Sequence, residues 1–399
     1  MKRILVLTTF NNHYRFFHRL AQPLKDLGFE TDYLTNKYSI CKEAILNEDE
    51  IFLLARINGT KLNVNVEKSF EVAAGVLSKL KAEKIVSSVW THLDRLFEAQ
   101  KFEYIFLWGG VRLIEMTAGI FAEFNKIKTL YFELANFPKK VFVDPKGTNA
   151  KSLLAENADI LLSLQYNVEE YRKWSESYIA ESLKQHAVPQ SKSAANVEYL
   201  KNMYDVFGFR FKSLSQTEPI LTKEKLIGKY LRKILKLDYD NVDLNNTKYL
   251  FYPMQVNKDA QLILNSKVGN IDALKIAHRT AKEKGLKLIV KPHPGEVEFG
   301  FIKKVNTLKE KLGFAFVDNN TIELVLNAEE VLTINSTVGL QAKIAGKKVT
   351  CLGNAFYQDF DERKLAAYTQ NYLINADFWN EERISAETAQ KILTRAKIN

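Results

Sequence analysis

Short, wholly apolar runs alternate along this chain with longer stretches in which apolar residues recur every three or four positions. Ile4-Leu5-Val6-Leu7 is the first run, and the periodic segment from about Tyr14 to Leu27 predicts a helix stopped by Gly28. Glu30 to Leu34 predicts a second strand. Tyr104-Ile105-Phe106-Leu107-Trp108 halts at Gly109-Gly110, a helical stretch runs on to about Phe124, and Thr129-Leu130-Tyr131-Phe132 reads as the next strand. Ile160-Leu161-Leu162 reads as a weaker one. Strands that are apolar throughout, separated by helices, predict parallel βαβ units with both sheet faces covered.

The same grammar restarts near Tyr249. Strands are expected at Tyr249–Tyr252, Leu288–Val290, Phe314–Val317, Val331–Ile334 and Val349–Leu352, with a helix from Ile271 to Lys284 closed by Gly285. The stretch from Gln165 to Thr247 carries no strand pattern and reads as helices with loops. A last helix is expected over Ile384–Ile398. The fold expected is α/β: two Rossmann-like domains facing across a cleft, with a helical insertion between them. The boundaries are an N-terminal domain over 1–165, a helical segment over 166–247, a C-terminal domain over 248–375 and a terminal helix over 376–399. Open α/β sheets bind ligands beyond the carboxyl ends of their strands, so chemistry is sought there.

Composition narrows this picture without changing it. The 399 residues are 46% hydrophobic and 26% charged, as in ordinary globular proteins. Only Cys41 and Cys351 occur, which excludes a disulfide framework and argues against a structural zinc site. No signal-peptide pattern opens the chain and no run nears the roughly 20 apolar residues that span a bilayer. A cytoplasmic protein is expected, peripheral at most at the inner face of the inner membrane. The net charge of +10 suits an anionic partner: a phosphate-bearing substrate, an acidic glycan or a membrane surface. Charge alone fits nucleic acid equally well.

Several strand ends carry polar groups. Lys291-Pro292-His293-Pro294-Gly295-Glu296 follows a strand directly. Its two prolines stiffen a turn that presents an imidazole and an ammonium suited to a phosphate leaving group; a rigid structural loop is the competing reading. In Asn335-Ser336-Thr337-Val338-Gly339-Leu340 a strand passes into a helix, whose start attracts anions; a plain N-cap is the alternative. After Pro253, Gln255 and Asp259 are four apart and face one way if a helix begins there. Asp259 then reads equally as nucleophile, base or first-turn acid. Glu133 ends an apolar strand, where a carboxyl group suits a general acid or base; capping a neighbouring helix is its plain role. Trp108-Gly109-Gly110 ends the strand before it. Finally, Leu226, Ile227, Leu231, Ile234 and Leu235 recur at helical spacing among Lys223, Lys225, Lys229, Arg232, Lys233 and Lys236. This basic amphipathic pattern over 222–237 suits either a membrane surface or a solvated helix packed on its own domain. No P-loop, dinucleotide fingerprint, nucleophile elbow or metal-site spacing is present.

Taken in order, Gln255-Val256, Asp259-Ala260-Gln261, Lys291-Pro292-His293-Pro294, Asn335 to Leu340, Leu352-Gly353 and Tyr357 resemble the bacterial capsule polysaccharide biosynthesis family. Glu133 and Asp144-Pro145-Lys146-Gly147-Thr148-Asn149 resemble its first-domain motif. The resemblance runs from about Trp108 to Tyr357, with Gln165–Thr247 unmatched in detail. It implies a GT-B-type fold and a retaining β-Kdo transferase of capsule or O-antigen assembly, with CMP-Kdo as donor and a glycan or lipid-linked acceptor. Neither cofactor, metal nor nucleic acid is implied. It makes Asp259 the nucleophile, Glu133 the acceptor-side carboxylate, and His293, Lys291, Ser336 and Thr337 the ligands of the CMP phosphate, with Asn335 and Gln255 in the same donor site. One catalytic module is present, where longer capsule enzymes carry two. Two other readings stand beside it: another nucleotide-sugar transferase or an epimerase of similar fold, and a non-catalytic scaffold docking at the membrane through 222–237.

Overall fold

The computed structural model describes residues 1–59, 62–184, 205, 214 and 237–398. The chain divides into two compact units. One takes Met1–Glu156 and everything described from Tyr372 onward; the other takes the described residues of 157–371, apart from 205 and 214, which belong to the first. The division therefore falls at Glu156, nine residues before the expected boundary, and the terminal helix Ala386–Arg395 is part of the first unit.

In the first unit the strands are β1 (Lys2–Leu7), β2 (Phe29–Thr35), β3 (Ile51–Leu53), β4 (Tyr104–Trp108), β5 (Lys128–Leu134) and β6 (Lys140–Asp144). In the second they are β7 (Tyr249–Pro253), β8 (Lys287–Lys291), β9 (Ala315–Phe316), β10 (Glu330–Thr333) and β11 (Lys348–Cys351). The chain then returns to the first unit with β12 (Ile374–Asn375). The first sheet has the order β12-β6-β5-β4-β1-β2-β3 and the second β11-β10-β7-β8-β9. All pairs are parallel except β5–β6 and β6–β12.

The apolar strands bury alternate residues on opposite faces, as a period of two demands. Ile4, Val6, Tyr104 and Phe106 enter one core cluster of the first unit, whereas Leu5, Leu7, Ile105 and Leu107 enter another. In the second unit Leu250 and Tyr252 enter one cluster, and Tyr249 and Phe251 a second. Two-sided burial is why these strands are apolar at every position. The helix Asn11–Asp26 lays Tyr14, Phe16, Phe17, Leu20 and Leu24 on the first sheet. Gly28, at φ 89°, turns the chain back into β2.

Two expectations are corrected here. Ile160-Leu161-Leu162 is no strand: Ala158–Ser163 is a 3-10 helix whose start is capped by the Asn157 side chain, which accepts from the Asp159 N–H. A three-residue apolar run is too short to declare a strand, and a local cap decides otherwise. Glu133 does not end β5. The strand continues to Leu134 and turns into β6, with Glu133 opposite Phe142. Within 166–247, the helix Val168–Lys184 is described, and the basic pattern of 222–237 lies, except for Leu237, outside the described residues. Among the described residues no helix is long and apolar enough to cross a membrane.

Candidate functional site

The order β10-β7-β8 brings three sequence-remote loops to one edge of the second sheet, because parallel neighbours end on the same side. Each loop is tied to the next by side chains. Gln255, just past β7, donates through Nε2 to Asn335 Oδ1 at 2.9 Å and accepts from the Asn335 backbone N–H at 3.1 Å. Asn335 Nδ2 donates to the Gln261 carbonyl at 2.9 Å. On the other side, Glu296 Oε2 accepts from the Asn257 N–H at 2.6 Å, while its Oε1 accepts from the Val297 and Glu298 N–H groups, both at 2.8 Å. The loop that carries Asp259, the turn that carries His293 and the helix start that carries Ser336 are therefore one hydrogen-bonded frame. Gln255 and Asn335 are its clamps.

Within that frame Asp259 caps the helix Ala260–Asn265, its Oδ1 accepting from the Gln261 N–H at 2.7 Å. Because the helix starts at Ala260, Gln255 lies before it, and the expected i, i+4 pairing of Gln255 with Asp259 does not form. Asp259 is half-buried, and among the described residues no hydrogen bond holds its second oxygen. His293 is exposed, and its Nδ1 accepts from the Gly295 N–H at 2.9 Å. That bond selects the tautomer with the proton on Nε2. Beside it lies an apolar recess lined by Met254, Phe301, Ile302 and Val305 together with Gln255 and His293.

Ser336 is the N-cap of the helix Thr337–Ile344. Its Oγ accepts from the Val338 N–H at 3.2 Å, which leaves the hydroxyl proton to donate. Thr337 is exposed at the first helical position. The buried Tyr357 donates its hydroxyl to the Ser336 carbonyl, and burial drives its pKa well up, so it remains a donor. Gly339 is required by this packing: a Cβ there would stand 2.4 Å from the Tyr357 hydroxyl and 2.9 Å from Thr333 Cγ2.

Lys291 is placed differently from the expected pairing with His293. Its ammonium donates to the Asn319 carbonyl and, at 3.0 Å, to Thr321 Oγ1, pinning the loop after β9. Burial lowers its pKa, against the pull of Asp318 and Glu323. Glu133 lies in the first unit, half-buried, with Oε1 accepting from the Leu134 N–H at 3.0 Å. The Asp144 motif is a structural hub. This fully buried carboxylate accepts from the N–H groups of Lys146, Gly147, Leu153 and Leu154 and from the Tyr372 hydroxyl at 2.7 Å. Sequence reasoning assigned no role to Glu296, Asn257 or the recess. Glu296 sits inside the Lys291–Glu296 motif, but only the fold shows that its carboxylate ties two loops. Among the described residues no cluster of three His, Cys, Asp or Glu side chains fits a metal ion.

A family model described as capsule polysaccharide biosynthesis protein matches residues 103–383. Among solved structures, the chain is similar to KpsC of Thermosulfurimonas dismutans, described as a beta Kdo 2,7 transferase, at 16% identity over 99% of both chains with a TM-score of 0.46. It is similar to a beta Kdo 2,4 transferase KpsC of the same organism at 13% identity over 97% of both chains, with a TM-score of 0.44. A UDP-GlcNAc 2-epimerase from Neisseria meningitidis follows at 12% identity over 99% of both chains and a TM-score of 0.30. No curated protein matches the sequence.

Proposed function

The chain belongs to the capsule polysaccharide biosynthesis family, and from that premise we propose that it is a glycosyltransferase moving Kdo from CMP-Kdo to a surface-polysaccharide or lipid-linked acceptor, with retention. The observation that carries the reading is the frame in which Gln255, Asn335 and Glu296 bind three strand-end loops together. It gathers a carboxylate, an N–H-donating imidazole and a helix start on one unit, the combination that a departing nucleotide and a reacting sugar require. The order of the family-like motifs supports Kdo over other sugars.

In this reading the recess beside His293 takes the cytosine ring, and the phosphate lies against the helix start. Charge builds on the phosphate as the anomeric carbon–oxygen bond breaks. Ser336 Oγ–H, Thr337 Oγ–H and His293 Nε2–H stabilise it, aided by the positive end of the helix dipole. Asp259, oriented through Oδ1 by its cap bond, attacks the anomeric carbon with its second oxygen and forms a glycosyl ester as CMP leaves. The acceptor hydroxyl then displaces the carboxylate and passes its proton to a general base, the role for which the family-like motif nominates Glu133. Two inversions give net retention. Lys291 supports the site by holding the neighbouring loop.

Asp259→Asn keeps an N-cap residue of nearly equal strength, so the frame survives while the nucleophile is lost. Turnover of CMP-Kdo should fall by about three orders of magnitude or more, with CMP affinity changed less than about threefold. Trapping a Kdo–protein adduct by mass spectrometry in the wild type is the positive test. Wild-type turnover by the Asn variant would overturn the assignment. Release of UDP in place of CMP, from a side-by-side donor panel, would transfer the reading to another nucleotide-sugar enzyme.

A further inference from the structure

The helices that cover the second sheet differ in charge from one face to the other. Asn270–Glu283 and Phe299–Leu312 lie on one face, where Ala273, Leu274, Ala277, Phe301 and Val305 enter a single core cluster. Their opposite sides are exposed. In the first helix Lys275, Arg279 and Lys282 recur at i, i+4 and i+7 and form one outward stripe. In the second, Lys304 and Lys311 repeat that spacing, with Lys303 beside them. These six exposed cations face three exposed acids of the same helices, Asp272, Glu283 and Glu310. Asp272 is taken by Lys275 at 3.3 Å. Among the described residues Arg279, Lys282, Lys303, Lys304 and Lys311 make no ion pair. The helix Val168–Lys184, which packs over the other face and bonds Gln341 through Tyr178, has no such excess: it exposes four acids against three cations.

Scattered lysines need no partner, because water solvates them. Here they are gathered on one side of two neighbouring helices with few acids between them, and like charges held that close repel. An anionic plane would offset the repulsion. The residue type points to a plane over a shaped ligand: five of the six cations are lysines, compact hydrated charges without the planar fork that fits one carboxylate or phosphate. An apolar residue stands at the rim of the same surface. Phe299, the first residue of its helix, is 40% exposed and shares a side with Lys303 one turn on. The inward side of that helix reaches the site, since Phe301, Ile302 and Val305 line the recess beside His293. One helix is thus both a wall of the recess and part of the outer basic surface.

We propose that the outer face of Asn270–Glu283 and Phe299–Leu312 docks on the anionic surface of a phospholipid bilayer. The lysine stems lie along the headgroups with their ammonium groups among the phosphates, and the Phe299 ring enters the interface. The recess then lies about one helix diameter, roughly 10 Å, from the headgroups. The docking does not depend on the transferase reading. That reading gives it a use, because a lipid-linked acceptor would be met at the surface on which the recess is held.

Flotation of the full chain is measured with vesicles of phosphatidylcholine alone and with vesicles in which about one-third of the lipid is phosphatidylglycerol, without donor or acceptor. The protein should partition onto the anionic vesicles and at least about tenfold less onto the neutral ones, and added salt should release it. The combined variant Lys303→Gln, Lys304→Gln and Lys311→Gln should lose about a hundredfold, because each charge near the surface counts for about fivefold. Phe299→Ser should lose several-fold. Lys173→Gln with Lys184→Gln, on the helix over the other face, should change partitioning less than about twofold. All these positions are exposed, so melting temperatures should match the wild type. Equal partitioning onto neutral and anionic vesicles overturns the proposal, and so does a triple variant that floats like the wild type. Binding that survives in the triple variant and vanishes when Lys229, Arg232, Lys233 and Lys236 are neutralised moves the contact to that segment. Heparin, a soluble polyanion, is titrated in parallel. A triple variant that loses heparin but keeps the vesicles assigns the face to an acidic glycan and ends the membrane proposal. If CMP-Kdo is not a substrate but the triple variant still abolishes flotation, the transfer reading fails and the docking face stands.

Discussion

Two histidines show how much depends on one ring nitrogen. In His293 the Gly295 N–H donates to Nδ1, which places the ring proton on Nε2. His13 differs: it stacks on Trp108, its Nδ1 makes no hydrogen bond among the described residues, and the charges of Arg112 and Lys37 act on it. Burial first, and the two cations after it, lower its pKa to about 3. Its folded-state pKa is depressed below the unfolded value near 6.5. Stability is therefore full above about pH 6.5 and falls as pH drops toward 3, because the unfolded chain takes up the proton first. At pH 5 the loss should be about 2 kcal/mol from this residue alone. Thermal melts of His13→Phe across pH 7 to 5 should lack that share of the acid-side decline; an unchanged decline would refute it. His293 stood out in the sequence because prolines flank it. His13 did not, since a histidine in a helix's first turn announces nothing until Trp108 and two cations are packed around it.

At the scale of elements, the second unit assembles its site through amide side chains at strand ends. Asn335→Ala removes the acceptor of Gln255 Nε2 and the donor to the Gln261 carbonyl. The expected cost is about 1–3 kcal/mol. Because Asp259 and Ser336 would lose their common anchor, the proposed transferase reading expects KM for CMP-Kdo to rise more than the melting temperature alone predicts. Normal donor kinetics in a destabilised variant would show that the clamp serves stability only. The strands that form this edge were readable from two-sided burial: β4 and β7 match their apolar runs closely. The antiparallel β6 was not readable. Lys140-Val141-Phe142-Val143-Asp144 alternates poorly, and its pairing with β5 depends on a hairpin whose connection, Ala135-Asn136-Phe137-Pro138-Lys139, carries no tight-turn signal. For the same reason Glu133 was expected at a strand end and lies within one.

For the whole molecule, the return of the chain to its first unit is a long-range decision. Tyr372 donates its hydroxyl to the buried Asp144, Arg395 donates to the Tyr372 carbonyl at 2.8 Å, and β12 pairs with β6. Tyr372→Phe leaves Asp144 its four backbone donors but deletes a charge-assisted bond, so unfolding of the first unit should be easier by about 2 kcal/mol. Denaturant melts followed at Trp108, a tryptophan of that unit, would measure it; an unaltered midpoint would sever the link. Periodicity and residue type were enough to establish an α/β chain with two mainly parallel sheets and to place Asp259, His293 and Ser336 as polar groups beyond strand ends, because two-sided burial and helix capping are local demands written into neighbouring residues. Which of those groups share one frame, where Lys291 spends its charge and which unit owns the last helix all follow from contacts between residues far apart in sequence. Only packing the sheets brings such partners within hydrogen-bonding reach.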